Sequence, residues 1–279
     1  MISRRALLSG ALPALALAKA RFSSRMGLQI YSLRSQAEKD LLGTLAFIRG
    51  LGFREVEVSA LYGHSSADFR RMLDKNDLRA TSMMSEYDQL DKDCDAVAAD
   101  AHKLGAEYVV CGTLPHRQKY LSVEDCERVA PKLNSWGDRL LRSGLHCCYH
   151  THGIEFQNSA DGTVFDVLAK RTDTRYVNFE MDIFWIVYAF QDPVKMLRQY
   201  PGRFPLMHVK DIRKGTVLGG IPADVREEES VPLGQGLVDI PAALQTAEAT
   251  GVRHYYIEDE AVDAAVQLPL SLRYLKSLD

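Results

Sequence analysis

From Gly27 onward, short apolar runs with strand-like alternation give way, one after another, to longer segments with helical spacing. The runs GLQIYS, REVEVS, LRATSMM, EYVVCG, LHCCYH, YVNFEMD, PLMHVKD and HYYIED read as strands. The segments after them predict helices over about 39–50, 65–76, 93–104, 123–142, 161–170, 192–199, 240–249 and 268–276. Gly52, Gly105, Gly144 and Gly251 stand just past helix ends, where a left-handed backbone costs glycine little. Eight β-then-α units of about 30 residues each predict an α/β chain folded as one closed (β/α)₈ TIM barrel. An open doubly wound sheet is the alternative, but no GxGxxG follows the first strand. Nothing between residues 26 and 279 resembles a linker. Residues 213–236 are the one long stretch without periodicity, and at the catalytic end of a barrel such a loop is expected to be a lid or a substrate wall.

The N-terminus follows another pattern. Ser3-Arg4-Arg5-Ala6-Leu7-Leu8 leads into an alanine- and leucine-rich stretch ending Ala18-Lys19-Ala20. A twin-arginine start, a short apolar region and a small-x-small site predict a Tat-type export signal over residues 1–20, and a periplasmic or otherwise exported protein. Its removal leaves 31 basic against 37 acidic residues, a balance of −6 instead of −3. That acidic balance, without a long basic run, argues against a nucleic-acid partner. No apolar run of about 18 residues follows, so no membrane partner is expected once the signal is gone. A homodimer is compatible with the sequence. Five cysteines, an odd number with none in a CxxC pair, indicate neither a zinc knuckle nor a disulfide scaffold. Cys147 and Cys148 are expected to be small core residues, and an oxidising compartment would permit one bridge involving Cys94 or Cys126.

The candidate chemistry sits at strand ends. His150, Asp182, His208 and Glu258 close four successive strand-like runs, and a barrel brings the C-terminal ends of its strands together. Imidazole and carboxylate donors with open positions suit Mn²⁺, Zn²⁺, Co²⁺ or Fe²⁺, and two histidines tilt the choice away from Mg²⁺. His152 and Glu180 lie two residues from His150 and Asp182, hence on the same strand faces. His152 is expected to touch substrate or exchange a proton. Glu180 is expected to bond the metal ligands or the substrate. Lys210 shares the inward side with His208, where an ammonium would stabilise negative charge developing on a carbonyl. Asp211 is expected to face away and form a salt bridge, and Glu155 to pair with a nearby cation. Glu57, His64 and His116 follow the second and fourth strands or lie on them, and each is a candidate substrate contact. Trp185 and Tyr31 are candidate apolar platforms.

YHTHGIEF, FEMDIFW, MHVKD, VPLGQGLVDI and YYIEDE, in that order, together with GLQIYSLR and EVEVS, resemble the sugar phosphate isomerase/epimerase family of the xylose-isomerase-like TIM barrel superfamily. The resemblance spans residues 26–279. It implies a metal site on the fifth to eighth strands, with Asp182, His208 and Glu258 at the family's aspartate, histidine and glutamate positions. His150 stands where many relatives have glutamate, and this departs from their paired-carboxylate epimerisation. The resemblance implies a metal-dependent isomerase or epimerase on a non-phosphorylated sugar or polyol, acting by proton abstraction next to a carbonyl. Glu258 would be the principal base, with His150 or His152 handling the second proton. A metal-dependent lyase or dehydratase on keto-sugars, 3-keto-glycosides included, uses the same first step. A non-catalytic exported sugar-binding protein is a third reading. An abasic-site endonuclease shares the barrel but needs a basic DNA face that this chain lacks.

Overall fold

The computed structural model describes residues 22–160 and 162–279; the predicted signal and Asp161 lie outside the described residues. Eight parallel strands close a barrel: β1 Met26–Gln29, β2 Glu55–Val58, β3 Arg79–Ser85, β4 Tyr108–Cys111, β5 His146–His150, β6 Val177–Asp182, β7 Leu206–Val209 and β8 His254–Ile257. They neighbour one another in chain order, and β1 pairs with β8 through Met26–Tyr255 and Leu28–Ile257 to shut the ring.

Alternation along each strand sorts side chains between two cores. Outward residues such as Val56, Val109, Cys147, Phe179, Met207 and Ile257 join one large apolar cluster against the helices. Phe165, Phe179 and Phe204 meet there with ring centroids 4.9–5.9 Å apart, each burial stabilising the fold by about 1.5–3 kcal/mol. Inward residues form a much smaller apolar plug of Tyr108, Val110, Cys148, Leu206 and Tyr256. Gly27 makes room for it: a Cβ there would come within 2.8 Å of the Tyr256 ring and 2.9 Å of the Glu55 carbonyl. Met84 packs against the plug, and most other inward positions above and below it are polar.

The outer helices are α1 Leu41–Gly50, α2 Ser66–Lys75, α3 Tyr87–Leu104, α4 Val123–Arg142, α5 Val164–Arg171, α6 Pro193–Gln199, α7 Ile240–Thr250 and α8 Ala264–Leu278. Most follow the predicted spans because their ends are capped in sequence, as by Ser122 and Asp125 in a reciprocal box opening α4. α8 is longer than predicted at both ends, and three other departures have local causes. α3 begins at Tyr87, not Asp93: Asp93 breaks the helix (φ −156°, ψ 82°) and caps its second half through the Ala96 N–H, and a box of Glu86 and Gln89 starts the first half. α5 begins at Val164 because Asn158–Ser159 pairs with Gly162–Thr163 in a small hairpin that consumes the expected first turn. A short helix Ile183–Tyr188, not foreseen from the sequence, follows β6 directly and is capped by Asp182 itself. No bridge involves the cysteines: all five are buried free thiols. Among the described residues, no helix is long and apolar enough to cross a membrane.

Candidate active site

Inward positions at the C-terminal ends of β5 to β8 converge on one cluster. Register places His150 beside Glu180, Asp182 beside His208, and His208 beside Tyr256, two residues before Glu258. His150, Asp182 and His208 each offer a donor atom, all within 4.8 Å of one another, and all three are buried. Asp182 Oδ2 lies 3.8 Å from both His150 Nε2 and His208 Nδ1, and Glu258 Oε2 lies 3.2 Å from His208 Nδ1.

Each donor is aimed from behind. Asp182 Oδ1 accepts the N–H groups of Phe184 and Trp185 at the start of the short helix, which leaves Oδ2 pointing into the cluster without a hydrogen bond. His150 Nδ1 meets Glu180 Oε2 at 2.8 Å, and His208 Nε2 meets Glu57 Oε1 at 2.6 Å. A carboxyl group behind an imidazole holds the ring's orientation, the arrangement that metal-binding histidines use. Glu57 is in turn gripped by Gln29 Nε2 at 2.6 Å and by the Ser82 hydroxyl. The Ser82 contact depends on a bulge: the β2–β3 register slips between Val56 and Glu57, so Thr81 and Ser82 both turn inward, Thr81 reaching the Tyr256 hydroxyl at 2.7 Å.

The electrostatics follow from burial and crowding. Burial, reinforced by the nearby His152 and His208, holds His150 well below the usual imidazole range, so it is a neutral donor. Burial alone would depress His208 too, but the carboxylates of Glu180, Glu258 and Glu57 outweigh it and raise the imidazole well above its usual value. Burial lifts Asp182 to about 6 despite the opposing pull of Lys210 and His208. Glu258 goes the other way: burial would raise it, yet Lys210 and His208 hold it well below the carboxylate range. Burial and the adjacent Glu57 push Glu180 well above that range, toward its neutral form. Burial, with Lys210 next, lowers His152 to about 4, and its Nδ1 is buried without a partner.

Lys210 is brought into the same cluster. Its ammonium lies 2.9 Å from Glu258, 3.3 Å from Asp182 and 2.7 Å from Glu260, under the rings of Phe184 and Trp185. Trp185 thus walls the site and is itself buried. The other predicted positions fall elsewhere or serve differently. Glu57 and Glu180 are wholly buried behind the histidines: Glu180 bonds His150, as expected for a residue that supports a metal ligand, and Glu57 bonds His208, with which the two carboxyl groups form a second group able to hold a metal ion. His64 is exposed in the loop before α2, and His116 turns its Nδ1 to the Leu114 carbonyl; neither bonds the cluster. Tyr31 is exposed and stacks on Arg34. Among the described residues Glu155 pairs with no cation; it accepts from the Tyr149 hydroxyl and from the His152 N–H. Asp211 forms no salt bridge among the described residues: it accepts the N–H groups of Gly234, Gly236 and Val238 at 2.8–3.0 Å, folding the end of the 213–236 loop onto β7. Gln29, Ser82 and Glu260 were missed. Period-2 alternation would have flagged Gln29 and Glu260, whereas Ser82 owes its direction to the bulge.

The 213–236 loop lies at this mouth. Its Ser230–Val231 pairs with Asp211–Ile212, and Ser230 Oγ accepts the Glu260 N–H at 3.2 Å. A cavity of about 580 Å³ lies away from the cluster; it opens beside the ends of β2 and β3, over Val58, Met83 and Val97, and runs to α3. We place the chemistry at the cluster all the same, because converging ionisable groups with displaced acidities do the work of catalysis and an apolar-floored groove does not. The donor set fits a divalent metal ion, which would displace the proton that the surrounding carboxylates hold on His208: a neutral imidazole, a second imidazole backed by a carboxylate, and a buried carboxylate oxygen without a hydrogen bond.

A barrel closed by β1 and β8, with imidazole and carboxylate donors at the ends of β5 to β8, defines a class of enzymes built on this fold. A family model described as xylose isomerase-like TIM barrel matches residues 45–278, and the chain belongs to that family. Its relatives include the inosose dehydratase of Clostridium beijerinckii, 23% identical over 245 residues, covering 78% of this chain and 81% of the relative. The inosose dehydratase of Clostridium perfringens is 24% identical over 246 residues, covering 78% of this chain and 82% of the relative. Among solved structures, a sugar phosphate isomerase/epimerase from Parabacteroides distasonis superposes with a TM-score of 0.74 at 23% identity, covering 89% of this chain and 96% of the other. An IolI protein with a bound zinc atom superposes at 0.70 and 16% identity, covering 91% and 96%.

Proposed function

We propose that this chain is a metal-dependent lyase of keto-sugars or keto-polyols, which removes a proton beside a carbonyl and expels an oxygen substituent from the next carbon. His150, Asp182, His208 and Glu258 would hold the ion, and a bound divalent ion supplies Lewis acidity toward a substrate oxygen. Glu258, kept ionised by the cationic groups of the site, accepts the C–H proton and can return it to the departing oxygen. His152, neutral and with a free buried nitrogen, takes a hydrogen bond from a substrate hydroxyl. Trp185 and Phe184 exclude water from the ammonium.

One observation carries the choice of lyase. The β5 position holds an imidazole whose Nδ1 is committed to Glu180, where epimerisation through a carboxylate on β5 and one on β8 would need a glutamate. Relatives named inosose dehydratases point the same way. The isomerase or epimerase reading keeps the same first step and is favoured by the named fold neighbours. Incubation with an inosose, a 3-keto-glucoside and a free ketohexose in deuterated water decides between them. Enone formation or aglycone release supports the lyase, and a deuterated epimer without elimination sinks it. Binding of all three without exchange would indicate a sugar-binding protein.

Export through residues 1–20, leaving a barrel over 26–279, is part of the same proposal and rests on the twin-arginine stretch. It suits free sugars over phosphorylated ones. Cell fractionation of the wild type and an Arg4→Lys, Arg5→Lys variant tests it: cytoplasmic wild-type protein would end the idea.

A further inference from the structure

We propose that Lys210 is a resident counter-cation of this site: it yields Asp182 and Glu258 to an incoming divalent ion and withdraws to Glu260. The inference rests on the metal site proposed above and concerns how that site is loaded.

Lys210 Nζ reaches Asp182 through Oδ2 at 3.3 Å and Glu258 through Oε2 at 2.9 Å. These same two oxygens face His208 Nδ1, at 3.8 and 3.2 Å. Ammonium and metal therefore draw on the same lone pairs, and two cations a few ångströms apart in a buried setting repel strongly. A lysine has a flexible stem and a point-like charge, so it can change partner without losing charge compensation. The third partner makes that change local. Glu260 Oε1 lies 2.7 Å from Lys210 Nζ, is outside the converging donor group, and its side chain is 30% exposed where those of Asp182 and Glu258 are 0% and 7%. Glu260 is also anchored: its N–H binds Ser230 Oγ at 3.2 Å and its carbonyl accepts from Arg34 at 3.2 Å. It can hold the ammonium while Glu258 turns to the ion.

This exchange of cations gives metal affinity a definite sign in each variant, without a turnover assay. Chelator-treated full-length protein is titrated with Co²⁺, following visible absorbance and heat. Lys210→Met should bind Co²⁺ at least ~10-fold more tightly than wild type, and Glu260→Gln ~10-fold more weakly, the scale of one charge interaction at partial screening. The double variant should bind like Lys210→Met, since Glu260 acts through Lys210. If Lys210→Met binds Co²⁺ no better than wild type, the ammonium is a fixed organiser of the carboxylates and the proposal fails. Should Lys210→Met not fold, Glu260→Gln decides by sign alone, unchanged or tighter binding overturning the idea. His208→Ala separates the two levels: Co²⁺ binding indifferent to it removes the site and this proposal together. Binding that His208→Ala abolishes leaves the site standing, and the Lys210→Met affinity then decides.

Discussion

Glu55 and Glu57 stand two residues apart on β2, point into the same barrel, and each accepts from a histidine, yet they do different work. At the N-terminal end, Glu55 Oε2 meets His254 Nδ1 at 2.9 Å and its other oxygen meets Arg79. Burial would raise its pKa, but His254 and Arg79 outweigh it, and the group is stably ionised. Tyr108 lines the same end, its ring 5.2 Å from His146 and 5.6 Å from His254. Above the plug, Glu57, Glu180, Asp182, Glu258 and Glu260 face one ammonium and the imidazoles of His150 and His208. The lower end balances its charges with its own residues. The upper end carries more buried carboxyl groups than cationic partners, and one oxygen of Asp182 lacks a hydrogen bond, which a divalent cation would relieve. Within one barrel, a polar closure and a reactive site differ in whether the chain supplies the last cation.

The contrast between the two ends is most exposed at the donors themselves. His208→Ala or Asp182→Ala should lower metal affinity and turnover by roughly 100-fold or more; full metal content by elemental analysis in either variant would contradict the assignment. Glu258→Gln should separate the functions, keeping part of the metal and losing most turnover.

A finer test sets the two β2 glutamates against each other. Glu57→Gln frees His208 to rotate and should cost about 10–100-fold in metal affinity. Glu55→Gln should leave metal binding and turnover at wild-type values. It should cost about 0.5–1 kcal/mol in urea denaturation, the range of a partly exposed ion pair. Equal catalytic losses in both would erase the distinction between the two ends.

The smallest effect concerns the thiols. Burial pushes Cys126 and Cys147 up to about 12, so both remain protonated and unreactive well above neutral pH. Native protein at pH 8 should give almost no colour with a thiol reagent and five equivalents once unfolded. Fewer than five after unfolding without reductant would reveal a bridge.

Much of this was legible in the residues. Period-2 and helical spacing located all eight strands, because inward and outward neighbours differ in polarity wherever a strand has one polar side. The same alternation placed His150, Asp182, His208 and Glu258 at strand ends, and their convergence follows from the closed barrel. Asp93 was visible as a helix start; that a further helical turn preceded it was not, since the Glu86–Gln89 box looks like ordinary loop chemistry.

The sequence by itself determined the barrel, its two-sided strands and the kinds of donor that meet at one mouth, since these depend on local spacing and on closure alone. Only the tertiary structure decided which carboxylates serve as donors and which support imidazoles. It placed Glu57 behind His208 and Glu180 behind His150, turned Ser82 inward through a bulge, and lodged the Lys210 ammonium against Asp182 and Glu258. Such roles arise from distances across the ring between strands far apart in the chain, and no pattern along a single strand contains them.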